Sequence, residues 1–192
     1  MTRLLKGRIA LLATSNVHKF NEARRILSEH EIATAMLKNI RAVEIQDDDI
    51  ENIAKARAMN AFEKCRLPIV VEDAGLFIRK LTNFPGPYSS YVYRTIGNDG
   101  LLKLMENVTD RRACFRSVVA FLSPMIHTPI CFNGEVEGRI TEEKLGRQGF
   151  GFDPIFEPSH SSKTYGQMTV EEKNQLSHRA SSFRGFAKFY KG

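Results

Sequence analysis

The chain has 192 residues, 42% of them apolar, which is enough for one domain with a sizeable core. Its formal net charge is +6, yet Lys and Arg are scattered with no dense basic run, so a small polyanion is the expected partner rather than nucleic acid. The three cysteines, Cys65, Cys114 and Cys131, form no C-x-x-C, which excludes a disulfide framework or zinc ribbon and fits a reducing cytoplasm, and no segment nears the roughly 20 apolar residues of a membrane span.

Arg8 to Ala13 reads as a short buried strand, too short for a secretory apolar region and running straight into the polar "TSNVHK". Phe20, Ala23, Ile26 and Leu27 then recur at helical spacing with Glu22, Arg24 and Arg25 outward, and a second strand is expected near Ala33 to Leu37. A further helix follows, with Ile50, Ile53, Ala54, Ala58, Ala61, Phe62 and Cys65 on one face, and Asp47, Asp48 and Asp49 supply negative charge at its N-terminus. Leu67 to Val71 is the next strand, so apolar that it reads as buried on both faces, and it is expected to leave the core where Glu72 and Asp73 begin. Strands alternating with helices give an α/β unit with parallel pairing, in which ligands gather at the carboxyl ends of strands; "TSN" and "ED" then share one rim. Arg111 to Leu122 and Pro129 to Ile140 read as a long hairpin, a candidate second lobe, and Phe183, Phe186, Ala187 and Tyr190 form the core stripe of a final helix. No repeat, low-complexity segment or linker divides the chain.

Four stretches carry chemistry. Thr14, Ser15 and Asn16 lie between the first strand and its helix with Lys19 one turn in, which makes either a phosphate cradle or an ordinary helix cap with a solvated lysine; the P-loop pattern is absent. Glu72 and Asp73 are either an exposed strand end or, beside a phosphate site, a pair needing a cation between them, for which Mg²⁺ with Glu44 as a further oxygen donor is the natural choice. "GFGFDP" sets Phe150 and Phe152 among glycines before Asp153, as rings for a flat base or as core packing around a turn. Lys173, Ser177, His178 and Arg179 bunch donors at a helix junction, without the G-x-S-x-G of a hydrolytic triad or the H-E-x-x-H of a zinc site.

In order and spacing, "TSNVHK", "VEIQ", "VEDAGL", "NFPGPYSSYV", "GFGFDPIF" and "KTYGQMTVEEKNQLSHR" resemble the inosine triphosphate pyrophosphatase family over nearly the whole chain. The resemblance implies an α/β fold with a mixed twisted sheet flanked by helices: a single domain, 1–192, with a β-rich second lobe at 111–157 and a central nucleotide cleft. It also implies a Mg²⁺-dependent homodimer in the cytoplasm that hydrolyses ITP, dITP and XTP to monophosphate and pyrophosphate, with no nucleic-acid or membrane partner. By position, its phosphate loop falls on Thr14, Ser15, Asn16 and Lys19, its metal ligands on Glu44 and Asp73, and its general base on Asp73. Lys55 matches a lysine that points into the cleft, Glu72 flanks the metal carboxylate, and the base pocket falls on Phe150, Gly151, Phe152 and Asp153 with Lys173, His178 and Arg179. The chain departs from many relatives at Ala74, where Ser or Thr is common, at Phe152, where Tyr or Trp is frequent, and in "GPYSSYVYR". Donors around Ser177, His178 and Arg179 would favour the C6 oxygen of hypoxanthine and xanthine over the amino group of adenine. Two rivals remain: the septum-protein nucleotide pyrophosphatases, whose S-x-x-R-R pattern is absent, and a non-catalytic nucleotide- or RNA-binding protein, against which the rim carboxylates argue.

Overall fold

The structure, a computed structural model, describes residues 9–38, 40 and 45–191. Strand β1 (Ile9–Ala13) buries Ala10, Leu12 and Ala13, and α1 (Val17–Ser28) follows after three residues, capped by Asn16. Parallel β2 (Ala33–Leu37) pairs with β1, and α2 (Ile50–Cys65) begins at Asp49, whose side chain accepts the Glu51 N–H at 2.8 Å. The acidic run before Ile50 is thus helix-capping charge.

Strand β3 (Ile69–Ile78) departs from expectation. It does not end at Glu72 but continues through both carboxylates to Ile78, because β5 (Arg112–Leu122) pairs with it antiparallel along its whole length, from Ile69 opposite Leu122 to Ile78 opposite Ala113. The ladder satisfies the backbone, and cations on either side neutralise the charges, so nothing forces the strand to stop. A two-residue β4 (Pro85–Gly86) pairs with the far end of β3 and leads into α3 (Ser89–Thr95) and α4 (Gly97–Leu104). The expected hairpin is β5 with β6 (Ile130–Ile140), and β7 (Phe156–Pro158) pairs with β6. Helices α5 (Val170–Leu176) and α6 (His178–Lys191) complete the chain.

The sheet runs β2-β1-β3-β5-β6-β7, parallel from β2 to β3 and antiparallel from there on, with β4 beside β3. It is therefore mixed, with helices on both faces. On one face α1 and α6 bury Ala23, Ile26, Leu27, Phe183 and Phe186 against Val70, Val119 and Phe121. On the other, Ala54, Ala58 and Ala61 of α2 let the helix lie close on Ile69, Val71, Val118 and Ala120. A third cluster gathers Leu76, Phe115, Ile140, Phe156 and Tyr165 with Val92 and Leu101 from α3 and α4. Each fully buried side chain of this size contributes about 1.5–3 kcal/mol. Among the described residues no helix is long and apolar enough to cross a membrane.

Candidate active site

The register of Leu12 opposite Val70 brings the end of β1, and Thr14 after it, level with Glu72. Here a cavity of about 510 Å³ opens, lined on one side by Thr14, Ser15, Asn16 and Lys19 and on the other by Phe150, Gly151, Phe152, Asp153, His178 and Arg179, with Glu72 and Asp73 between. Of the two readings of the "TSN" turn, the helix cap is present. Asn16 caps α1 by accepting the Lys19 N–H at 3.0 Å, and Thr14 Oγ1 accepts the Asn16 N–H at 3.1 Å. Yet Lys19 is not a solvated lysine: its Nζ lies 2.9 Å from Glu72 Oε2.

Glu72 and Asp73 do not share a cation, because consecutive strand residues face opposite ways. Glu72 points to the α1 and α6 face, where it takes Lys19, Arg179 at 3.0 Å and the Ser117 hydroxyl at 2.9 Å. Burial pushes its carboxyl up, but the charges of Arg179 and Lys19 outweigh this and hold it well below the usual carboxylate range. Asp73 points to the α2 face and accepts from Arg57 Nη1 at 2.7 Å. Lys55, expected in the cleft, does not line it; it pairs with Glu51 at 2.6 Å on the same helix, and Arg57 is the α2 cation that reaches the cavity. Glu44, the other expected metal ligand, lies outside the described residues.

Behind the cavity is a buried charge network that the sequence reading did not contain. Lys173 bridges Glu22 at 2.8 Å and Asp153 at 2.6 Å, while Arg179 joins Glu22 at 2.5 Å to Glu72. Glu22, six residues past Asn16 on α1 and expected to face outward, is instead buried, because Lys173 and Arg179 neutralise it there. Burial raises the Asp153 carboxyl, opposed by Lys173, and lowers the His178 imidazole well below its ordinary value, aided by the Arg179 and Lys173 charges, so His178 is neutral. Lys173 does not line the cavity; its ammonium lies 4.9 Å from the centre of the Phe150 ring.

Asp153 also shapes the turn, since its Oδ2 accepts the Phe150 N–H at 2.8 Å. Gly149 makes this contact feasible: at φ +73, a Cβ there would lie 2.1 Å from that oxygen. Phe150 stacks on His18 at 5.2 Å between centroids and stays partly open to the cavity, whereas Phe152 is core, 4% exposed and edge-on to Tyr93. At the helix junction Ser177 accepts the Ala180 N–H and does not line the cavity. His178 does, its ring flat on Phe115 at 4.6 Å and its buried Nδ1 without a hydrogen-bond partner.

A family model described as the Ham1 family matches residues 10–189. The chain belongs to the Ham1 family. It is 45% identical over 181 residues to a dITP/XTP pyrophosphatase of Methanopyrus kandleri, covering 94% of this chain and 95% of that protein. A dITP/XTP pyrophosphatase of Pyrococcus horikoshii is 45% identical over 178 residues, covering 93% and 94%. Among solved structures, the Ham1 protein of Staphylococcus aureus superposes with a TM-score of 0.81 at 28% identity, covering 96% of this chain and 99% of its own. The family anticipated from the motifs and the mixed α/β fold are therefore both shown.

Charge across the Ham1 cavity is balanced. Apart from two imidazoles, its lining carries three cations, Lys19, Arg57 and Arg179, against three carboxylates, Glu72, Asp73 and Asp153. Such walls have no surplus positive charge for a polyphosphate, so a hard divalent cation on a carboxylate is what the donor set calls for. Asp73 fits that role: its Oδ2 already holds a cation, and its side chain is 15% exposed, within reach of solvent. The trio Cys114, Glu135 and Glu137, whose ligand atoms lie within 4.8 Å of one another, is a weaker candidate, because it lies outside this cavity and burial pushes the Cys114 thiol up, keeping it from the thiolate that would ligate.

Proposed function

We propose that this chain hydrolyses ITP, dITP and XTP to the monophosphate and pyrophosphate, removing non-standard purines from the nucleotide pool. The observation that carries the reading is one cavity with a helix N-terminus and Lys19 on one wall, Asp73 at its floor and Phe150 with His178 on the other. The names of the relatives agree with it.

Phosphates would rest on the Thr14, Ser15 and Asn16 turn, where backbone N–H groups and the helix dipole favour anions. Water attacks the α-phosphorus, the bond to the bridging oxygen breaks, and pyrophosphate leaves with that oxygen; Asp73 accepts the water's proton. When bound, Mg²⁺ held by Asp73, and by Glu44 as the family resemblance implies, supplies positive charge to the phosphoryl oxygens. Glu72 fixes Lys19 and Arg179 rather than binding metal. The purine would stack on Phe150, and the unpartnered, neutral His178 would meet its polar edge. Adenine would turn its C6 amino donor towards Arg179, which can only donate, and leave a buried group unpaired, about 1–3 kcal/mol or roughly 5- to 150-fold.

The chain acts as a single domain, with 111–157 as the second wall of the cleft; Phe150, Gly151, Phe152 and Asp153, which line the cavity from that segment, support this division. It works as a homodimer in the cytoplasm, a setting that suits three free cysteines, and sedimentation velocity tests the dimer. The test of function is to incubate the protein and Mg²⁺ with ITP, XTP, dITP, dTTP or ATP and separate the products. Monophosphate with intact pyrophosphate from the inosine and xanthosine nucleotides is expected; orthophosphate with diphosphate, or no turnover, rejects the reading.

A further inference from the structure

Phe150, the ring assigned to the purine, is not bare. His18, the second residue of α1, stacks on it with 5.2 Å between ring centroids and 21° between the planes, and both rings line the cavity. The inner side of Phe150 is closed as well. Lys173, buried and away from the cavity wall, holds its ammonium 4.9 Å from the ring centre, and the buried Arg179 guanidinium lies 5.5 Å from it. His18 therefore stands on the side from which a ligand comes. It is exposed, so a turn of its own side chain takes it off the ring without disturbing the core. The space beside the stack is open, since a Cβ on Gly151 would meet nothing within 4 Å.

We propose that His18 is a displaceable plug in the purine seat: its imidazole covers the open face of Phe150 while no nucleotide is bound and leaves it when a base stacks there. The inference rests on the nucleotide pyrophosphatase reading and adds to it the residue that the base must replace. A base cannot slip between the two rings where they stand. Flat rings in contact lie about 3.5–4.0 Å apart, so an inserted base needs its two neighbours about 7 Å apart or more. Here the centroids are 5.2 Å apart. Nor can the base use the inner side, because Lys173 is fixed there by Glu22 and Asp153, and Arg179 by Glu22 and Glu72. Binding is thus an exchange of one flat ring for another. It lowers the apparent affinity of every base by the same factor, the fraction of molecules in which the stack is open, and leaves the phosphate contacts untouched. His18 then sets how tightly a base is held, not which base is chosen.

The test titrates the whole chain, with Mg²⁺, against two probes: a non-hydrolysable ITP analogue, and inorganic tripolyphosphate, which offers phosphates without a base. By calorimetry His18→Ala should bind the ITP analogue about three- to tenfold tighter, the loss of one aromatic stack that competes with the base. Its tripolyphosphate affinity should match wild type, which separates the ring from any effect on the neighbouring Lys19. His18→Phe, which keeps a ring on Phe150, should lack the tightening. Unchanged or weaker binding of the analogue by His18→Ala overturns the proposal, the latter because the imidazole would then hold the base rather than yield to it. Equal tightening for both probes also overturns it, by tracing the effect to the phosphate turn. Proton NMR gives a second reading. The His18 ring protons, shifted upfield by the Phe150 ring in the free protein, should move downfield when the analogue binds and should already stand there in Phe150→Ala; resonances that stay upfield in the bound protein overturn the exchange. None of these measurements uses turnover. A protein that binds the analogue as expected but leaves ITP intact would reject the activity and keep the plug, whereas one that hydrolyses ITP without the tightening would reject the plug alone.

Discussion

Glu72 and Asp73 are neighbours in β3, yet their carboxylates serve opposite faces of the sheet, Glu72 holding Lys19 at 2.9 Å and Asp73 holding Arg57 at 2.7 Å. Their substitutions should therefore fail in different ways. Glu72→Gln removes the shared anion of two cations whose partner side is 6% exposed, and breaking such a buried pair destabilises by about 3–5 kcal/mol. Asp73→Asn, more open to water, should change stability by less than about 2 kcal/mol but lower turnover of ITP at least about 100-fold. Urea unfolding and steady-state rates on the two variants decide this; equal stability losses would contradict the division of faces.

Lys173 is the centre of the buried network, placed between Glu22 and Asp153 with its side chain 3% exposed. Lys173→Met leaves two carboxylates buried and facing each other without their ammonium. A loss of about 3–5 kcal/mol is expected, with Phe150 loosened as well, since Asp153 anchors its N–H. Replacing all three residues by apolar ones should recover much of the stability and none of the nucleotide binding, which calorimetry with a non-hydrolysable ITP analogue would read.

Local pattern carried the early α/β elements, the β5 and β6 hairpin and the final helix, because each buries one face at a regular spacing that the residues themselves display. It carried the "TSN" turn and the "GFGFDP" turn for the same reason: glycines and caps act on their immediate neighbours. It did not carry the end of β3, since what continues that strand is the pairing of Asp73 with Val118 and of Ile78 with Ala113, partners set by the whole topology. Glu22 and Arg57 were missed because their roles come from contacts across the fold, Glu22 to Arg179 and Arg57 to Asp73, with no signature in the sequence around them. Lys55 pairs with Glu51 while Arg57, two residues on, lines the cavity, since two residues rotate a helical side chain by more than half a turn.

Phe150 and Phe152 both line the cavity, but Phe150 is partly open to it whereas Phe152 is 4% exposed and packs in the core. Phe150→Ala should raise KM for ITP about 5- to 150-fold, the loss of one base-to-ring stack, and alter kcat far less. Phe152→Ala should instead lower the unfolding free energy by about 3–5 kcal/mol through the cavity it leaves. Were Phe152→Ala the variant with the KM defect and full stability, the assignment of base and core rings would be reversed.

Acid should weaken the fold through His178. Burial, and then the charges of Arg179 and Lys173, keep its imidazole well below the usual 6.5, so from that pH down to its folded value the unfolded chain binds more protons than the folded one. Unfolding free energy then falls as pH drops through this window, by up to about 1.4 kcal/mol per pH unit, and is indifferent to His178 above it. Glu72, held below 4.5, adds a loss of the same sign only in stronger acid, while Asp153, raised above 3.8 by burial, opposes it by taking a proton more readily in the fold. Those carboxylates are common to wild type and His178→Gln, so the difference between the two isolates the imidazole. Tm measured from pH 7 to pH 5 should fall more steeply for wild type, and the two curves should converge in slope above pH 6.5; parallel curves throughout would mean that His178 is not held neutral by its surroundings.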